Sequence, residues 1–454
     1  MTDSIHTPQF SAEPTLFGRL TGAIDRAIQA YLPDPLAIVL LLTLFVFVLG
    51  IATGGGTPVE MVVYFGEGFW GLLEFAMQMA LVLVTGHVLA STPVFSRALT
   101  ALARLARSPG TAIILATLVA MAASWINWGF GLVIGAFFAR RLAQEVPDVD
   151  YRVLIASAYS GFLIWHAGLS GSVPLTAATP GNFLEDTVGL VPTSETLFAP
   201  FNLILIRVLV LILPLINRLM LNHGGPTTFA HQIDFPEDAG TGGTRPDTPA
   251  ARLEHAPWLG WFVGAFGIAF VVWQIAAGTF ALTLNSINFI FLFAALALHG
   301  SVHSFSQAVG HAVSGVGGIL IQFPFYAGVM GMMVGAGLAA GLTDLFVERA
   351  DASTLPLFAF LSAGFVNVLV PSGGGQWAVQ GPIMLPAAET LGADIPRVVM
   401  AVAWGDAWTN MIQPFWALPA LAIAGLKARD IMGFCLVTLL MSGAVLMIGL
   451  TFLP

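Results

Sequence analysis

Charge is what this chain lacks most. Asp, Glu, Lys and Arg make up 9% of its 454 residues, against about a quarter in soluble domains, so too little is present to cover a solvated surface. Cysteine is nearly absent: Cys435 stands alone, which excludes an internal disulfide and a thiolate metal cluster. The sequence has no Gly-rich nucleotide loop, no His/Cys set at metal-binding spacing and no nucleic-acid patch. No cofactor and no nucleic-acid partner is therefore expected. The formal charge of −9 says little, because membrane chains are read by where Lys and Arg sit.

What is present is apolar: 57% of residues are hydrophobic and the mean hydropathy is +0.86. Runs such as Leu36–Gly50, Leu203–Ile216 and Ile287–Leu298 extend, with neighbours, to the roughly 20 residues that span a bilayer. The fold class expected is an all-α polytopic membrane protein. Full spans are predicted near 35–53, 69–91, 153–176, 200–220, 257–278, 280–300, 312–342, 396–421 and 430–452. The first apolar run follows a polar stretch with Arg19 and Arg26 and no small-residue cleavage site follows it, so it reads as a retained span. Two further apolar stretches, 111–139 and 355–388, are interrupted centrally by Asn-Trp-Gly or Pro-Ser-Gly-Gly-Gly.

The two halves repeat. The stretch from Tyr151, YRVLIASAYSGFLIWHAGLSGSVPL, aligns without gaps on PRVVMAVAWGDAWTNMIQPFWALPA from Pro396. An offset of 397 − 152 = 245 pairs Arg152 with Arg397, Ala158 with Ala403 and Pro174 with Pro419. Upstream, an offset of 322 − 78 = 244 pairs Gln78 with Gln322, and Gly66 and Gly71 with Gly310 and Gly315. Asn127 pairs with Asn367.

Charge placement then sets an orientation. With residues 1–30 cytoplasmic and both interrupted stretches returning to their starting side, 13 of the 16 Lys plus Arg fall inside, as the positive-inside rule expects. The expected organisation is a first inverted repeat over 31–221 with a re-entrant hairpin at 111–139, then a cytoplasmic linker at 222–256. A linker helix at 257–278 and a second repeat over 279–454, with its hairpin at 355–388, complete it. That gives about nine full spans plus two hairpins, a pattern typical of secondary transporters.

Non-helical backbone at membrane depth survives where protein buries it or it lines a watery cavity. Glycines at a tip let a ligand approach exposed N–H groups, and helix N-termini there favour an anion. Gly373 and Gly374, with Ser372, Gln376 and Asn367, are the candidates at one tip; Asn127 and Trp128 are those at the other. The following segments also look broken. Asp406, Thr409, Asn410 and Gln413 share one helical face, matched in the first half by His166, Ser170 and Ser172. Polar groups on one face inside a span indicate a site, since each is costly against lipid. The plainer alternatives are back-bonding for the serines and packing for His166. Asp406 is the coupling candidate, loading a proton or ligating sodium with Asn410 and Thr409.

At WINWGFGLVIGA, WHAGLSGSVPL, NVLVPSGGGQWAVQGPIM and GDAWTNMIQPFWALPA the sequence resembles the short-chain fatty acid transporter family, the AtoE-type permeases of bacteria, from about residue 15 to the C-terminus. The resemblance implies uptake of short monocarboxylates such as acetoacetate, butyrate or acetate across the bacterial inner membrane. It also implies homodimers with scaffold and elevator-type transport domains, within a superfamily of inverted-repeat carriers. The sodium-coupled dicarboxylate carriers of that superfamily have Ser-Asn-Thr tips. Here the tips read Ser-Trp-Ile-Asn and Asn-Val-Leu-Val-Pro-Ser, so sodium coordination does not carry over intact. Trp125, Trp128, Trp165, Trp377, Trp404, Trp408 and Trp416 crowd the expected site and suit a short alkyl tail. The rival reading is a cation/proton antiporter exchanging at Asp406. An intramembrane hydrolase is disfavoured, because GLSGS is not Gly-x-Ser-x-Gly and no acidic residue lies on its segment.

Overall fold

The computed structural model describes residues 35–222, 227–233, 248–313, 316–369 and 373–453. The expected 1–30 segment, Ser372 and much of the 222–256 linker lie outside them. Among the described residues every regular element is a helix. Seven are long and apolar enough to cross a bilayer: Leu73–Ala90, Pro109–Ile126, Tyr151–Ala178, Pro200–Leu219, Pro257–Ala276, Gly317–Gly335 and Ala428–Phe452. Leu36–Ala52, Leu284–Leu298 and Leu355–Asn367 are shorter apolar helices.

Helix starts follow sequence signals. Thr57 and Ser108 each close a capping box ahead of a proline in the first turn, a strong start signal. Asp351 accepts hydrogen bonds from the N–H groups and hydroxyls of Ser353 and Thr354 just before Leu355–Leu369, and these hold its carboxyl down at about 2.

Hydropathy overlooks four short helices: Pro58–Gly68, Pro93–Ala103, Val302–Val313 and Leu338–Arg349. The expected 312–342 span is divided, because Gly337 turns the chain with a φ of 69° between Gly317–Gly335 and Leu338–Arg349. Only glycine adopts that conformation readily. The short helices recur between the halves. Val302–Val313 starts 302 − 58 = 244 residues after Pro58–Gly68, and Gly317–Gly335 starts 317 − 73 = 244 after Leu73–Ala90.

Two helical hairpins stand inside the bundle. Pro109–Ile126 and Trp128–Glu145 are joined by Asn127 alone, in extended conformation. They run antiparallel, Gly131 packing on Ser124 and Gly135 on Ala120. Leu355–Leu369 and Gly373–Leu391 form the other hairpin, stitched by Gln376 Nε2 to the Ala363 carbonyl at 3.0 Å and Gln380 Nε2 to Ser362 Oγ at 2.9 Å. Behind each hairpin a helix breaks into a 3₁₀ turn. Tyr151–Ser160 passes into Gly161–Ala167, and Ile395–Thr409 into Asn410–Ile412 before Pro414 restarts a helix.

Candidate functional site

The broken helices are held face to face by a hydrogen bond between repeat mates. Trp165 Nε1 donates to Asn410 Oδ1 at 3.1 Å, its partner 245 residues away. The Tyr159 hydroxyl donates to the Asn410 carbonyl at 2.6 Å. Between them lies an ionisable pair. His166 Nδ1 stands 3.1 Å from Asp406 Oδ2, and neither side chain is exposed at all. The same nitrogen is 2.9 Å from the Ala403 carbonyl oxygen. That carbonyl only accepts, so Nδ1 carries the hydrogen, and it is aimed at Ala403 with the carboxylate beside it. No aligned donor reaches either oxygen of Asp406. With Nδ1 protonated, neutral His166 presents a lone pair at Nε2, 3.3 Å from Ser172 Oγ.

Ser172 opens onto a pocket. Met79, Trp128, Trp165, Ser172, Gly318, Ile319, Gln322, Phe323, Gly373, Gly374 and Trp416 line a small, partly open pocket. Its wall is aromatic and apolar with a few polar groups, as expected for a small-ligand site, and among the described residues holds no Lys or Arg. Gly373 and Gly374 begin the Gly373–Leu391 helix, so its N-terminal backbone donors and positive dipole end meet the pocket. Both glycines are required by close approach. A β-carbon on Gly373 would stand 2.5 Å from His166 Cε1, and one on Gly374 2.6 Å from Phe75 Cζ. The Trp128 indole N–H, in the same wall, is buried without an acceptor. Trp165 stacks on the His166 ring with centroids 3.6 Å apart.

Amide side chains gather around the Asp406 backbone carbonyl. Asn367 Nδ2 donates to the Asp406 carbonyl and to Thr409 Oγ1, both at 2.8 Å, and Gln413 Nε2 donates to the Asn367 carbonyl. Backbone carbonyls only accept, so these bonds fix both amides. Asn367 Oδ1 and Gln413 Oε1 are left without donors, as is Gln376 Oε1.

The chain matches the short chain fatty acid transporter family over residues 16–453. It is a member of that family. A provisionally named short-chain fatty acid transporter of Escherichia coli (strain K12) is 45% identical over 446 residues, covering 96% of this chain and all of that one. Another so named, from Haemophilus influenzae, is 41% identical over 457 residues at the same coverage. The fold is shared with two solved transporters. Alcanivorax borkumensis YdaH gives a TM-score of 0.60 at 16% identity, covering 93% of this chain and 97% of that one. Neisseria gonorrhoeae MtrF, described as one of a class of antimetabolite efflux pumps, gives 0.58 at 17%, covering 95% and 96%.

Within this family member the sequence candidates divide. Trp128, Ser172, Gly373 and Gly374 line the pocket. His166, Asp406, Asn367, Thr409, Asn410 and Gln413 are buried around the helix breaks, with Asp406 facing His166. Asn127 and Ser170 serve the hairpin backbone: Asn127 Oδ1 accepts from the Phe130 N–H and Ser170 Oγ from the Trp128 N–H, both at 2.9 Å. Gln376 stitches its own hairpin. Asn410 Oδ1, a sodium-ligand candidate, is taken by Trp165. Among the tryptophans, Trp128, Trp165 and Trp416 reach the pocket, while Trp404 donates to Asn202 Oδ1 and Trp408 to the Leu439 carbonyl. Sequence reasoning missed Met79, Gly318, Ile319, Gln322 and Phe323. Only Gln322, a polar residue in an apolar helix and repeat mate of Gln78, gave a signal.

Proposed function

We propose that this family member imports short-chain monocarboxylates such as acetoacetate, butyrate and acetate by cation-coupled symport. The observation that carries the reading is the pocket: an aromatic wall without Lys or Arg among the described residues, closed by a glycine helix N-terminus. One carboxylate suits the N–H groups at that terminus with the Trp128 indole and Ser172 hydroxyl as further donors, and the Trp and Phe faces suit a short alkyl tail. A second carboxylate would meet no cation among the described residues of the wall. On this reading the hairpins are re-entrant, the N-terminus is cytoplasmic in the bacterial inner membrane, and a homodimeric scaffold carries moving transport domains. The test is counterflow of labelled butyrate in proteoliposomes, with succinate as competitor. Rapid exchange blocked by acetoacetate and not by succinate is expected; no exchange, or inhibition by succinate, contradicts the reading.

Sodium coupling is the second reading, favoured by the buried, donor-less oxygens of Asn367, Gln413 and Asp406. Oxygen ligands suit hard cations. It predicts that exchange affinity rises with sodium concentration at constant pH.

A further inference from the structure

The two ends of His166 face different surroundings. Nδ1 meets the Ala403 carbonyl and the Asp406 carboxylate, and Nε2 meets Ser172 Oγ. Ser172 also lines the pocket. A continuous line therefore runs from the pocket through one hydroxyl and one imidazole to a fully buried carboxylate. Resting on the symport reading above, we propose that Ser172, His166 and Asp406 form a relay that loads one proton with each carboxylate.

The step balances without a further reactant. In the empty carrier the imidazole is neutral and Asp406 ionised, so the pair holds one negative charge. A monocarboxylic acid gives its proton to Ser172 Oγ as the Ser172 hydroxyl proton passes to His166 Nε2. One acid O–H bond breaks, one N–H bond forms, and the serine hydroxyl is regenerated. The carboxylate remains at the Gly373 tip. The loaded site holds an imidazolium, Asp406 and the substrate anion, again one net negative charge. Buried charge is costly in a bilayer, and here the moving part carries the same charge loaded and empty. Net transport is then one acid and no charge.

The surroundings leave the pair to itself. The other titratable groups on its own segments are Tyr151, Tyr159, Arg152 and Arg397. Tyr151 OH donates to the Ala424 carbonyl, Tyr159 OH to the Asn410 carbonyl, and the two arginines sit at the helix starts beside Asp150 and Asp394. From the packed elements come Arg140, Arg141 and Glu145, Arg207 and Arg218, Glu389, and Arg429, Asp430 and Cys435. Arg207, Arg218 and Glu389 are exposed; Cys435 is buried.

The test uses the full chain in proteoliposomes, its membrane potential clamped with potassium and valinomycin. Wild-type butyrate uptake should ignore the potential and bring in one proton per butyrate. His166→Gln should pass the anion without its proton, so that about 60 mV shifts its equilibrium accumulation about tenfold. Ser172→Ala should slow proton-coupled uptake while flux stays indifferent to the potential, and Ser172→Thr should restore the rate. His166→Gln flux that remains indifferent to the potential overturns the relay, as does a Ser172→Ala rate equal to wild type. Wild-type accumulation that needs sodium and moves no protons also overturns it. Failure of the transport reading looks different: wild-type protein then exchanges no monocarboxylate at any pH.

Discussion

The broken segments Tyr151–Ala178 and Ile395–Ala424 have matching backbones and different chemistry. Each starts with an aspartate cap, Asp150 or Asp394, accepting from the N–H of the arginine that follows. Each runs as a helix and then tightens into a 3₁₀ turn. The repeat offset of 245 sets Trp165 against Asn410, and those two side chains are hydrogen-bonded. Yet His166 has Met411 as its mate, and Asp406 has Gly161. Matching backbones thus build the frame of both segments, while differing side chains put a base in one and an acid in the other. The pocket is similarly lopsided: the glycine helix start belongs to the second hairpin, while the first offers the large ring of Trp128.

That comparison can be broken at several levels. The largest effect is expected from Gly373→Val, whose added carbons have to displace the His166 ring. Misplacing a reacting group by about an ångström costs on the order of a hundredfold, so butyrate exchange should be lost while the protein still elutes as a monodisperse peak. The matching change in the first half, Trp128→Phe, removes one donor and keeps the ring; butyrate affinity should fall about tenfold, the value of about 1.4 kcal/mol, as read from exchange at varied butyrate.

A smaller effect, read on stability, is expected at the bond between repeat mates. Trp165→Phe leaves Asn410 Oδ1 buried without a donor, a penalty of about 1–3 kcal/mol, visible as a lower melting temperature in detergent. Asn410→Leu combined with Trp165→Phe should recover part of that loss. Strict additivity of the two changes would mean that the bond does not couple the halves. Smallest is the pair of caps. Asp150→Ala should cost about 1 kcal/mol, and Asp394→Ala less, since its side chain is half exposed whereas that of Asp150 is buried.

Membrane class and most long helices were legible because a bilayer imposes run length. The short helices Pro58–Gly68 and Pro93–Ala103 were not, since eleven residues of mixed polarity give no hydropathy peak. Polar residues at the interruptions carried one signal for two uses. Asn127 and Ser170 satisfy hairpin N–H groups, whereas His166 and Asp406 meet each other across 240 residues. Ordinary apolar helices supply Met79 and Phe323, and only packing brings them to the pocket. The repeat held the one clue to the pairing, since it laid the His166 segment against the Asp406 segment.

The most direct measurement is uptake of labelled butyrate into proteoliposomes with pH and sodium gradients imposed separately, protein-free vesicles being subtracted. The account predicts that an inward proton gradient alone drives accumulation above equilibrium, that a sodium gradient alone does not, and that Asp406→Asn abolishes the first. Accumulation by sodium alone, or undiminished proton-driven accumulation in Asp406→Asn, would contradict it.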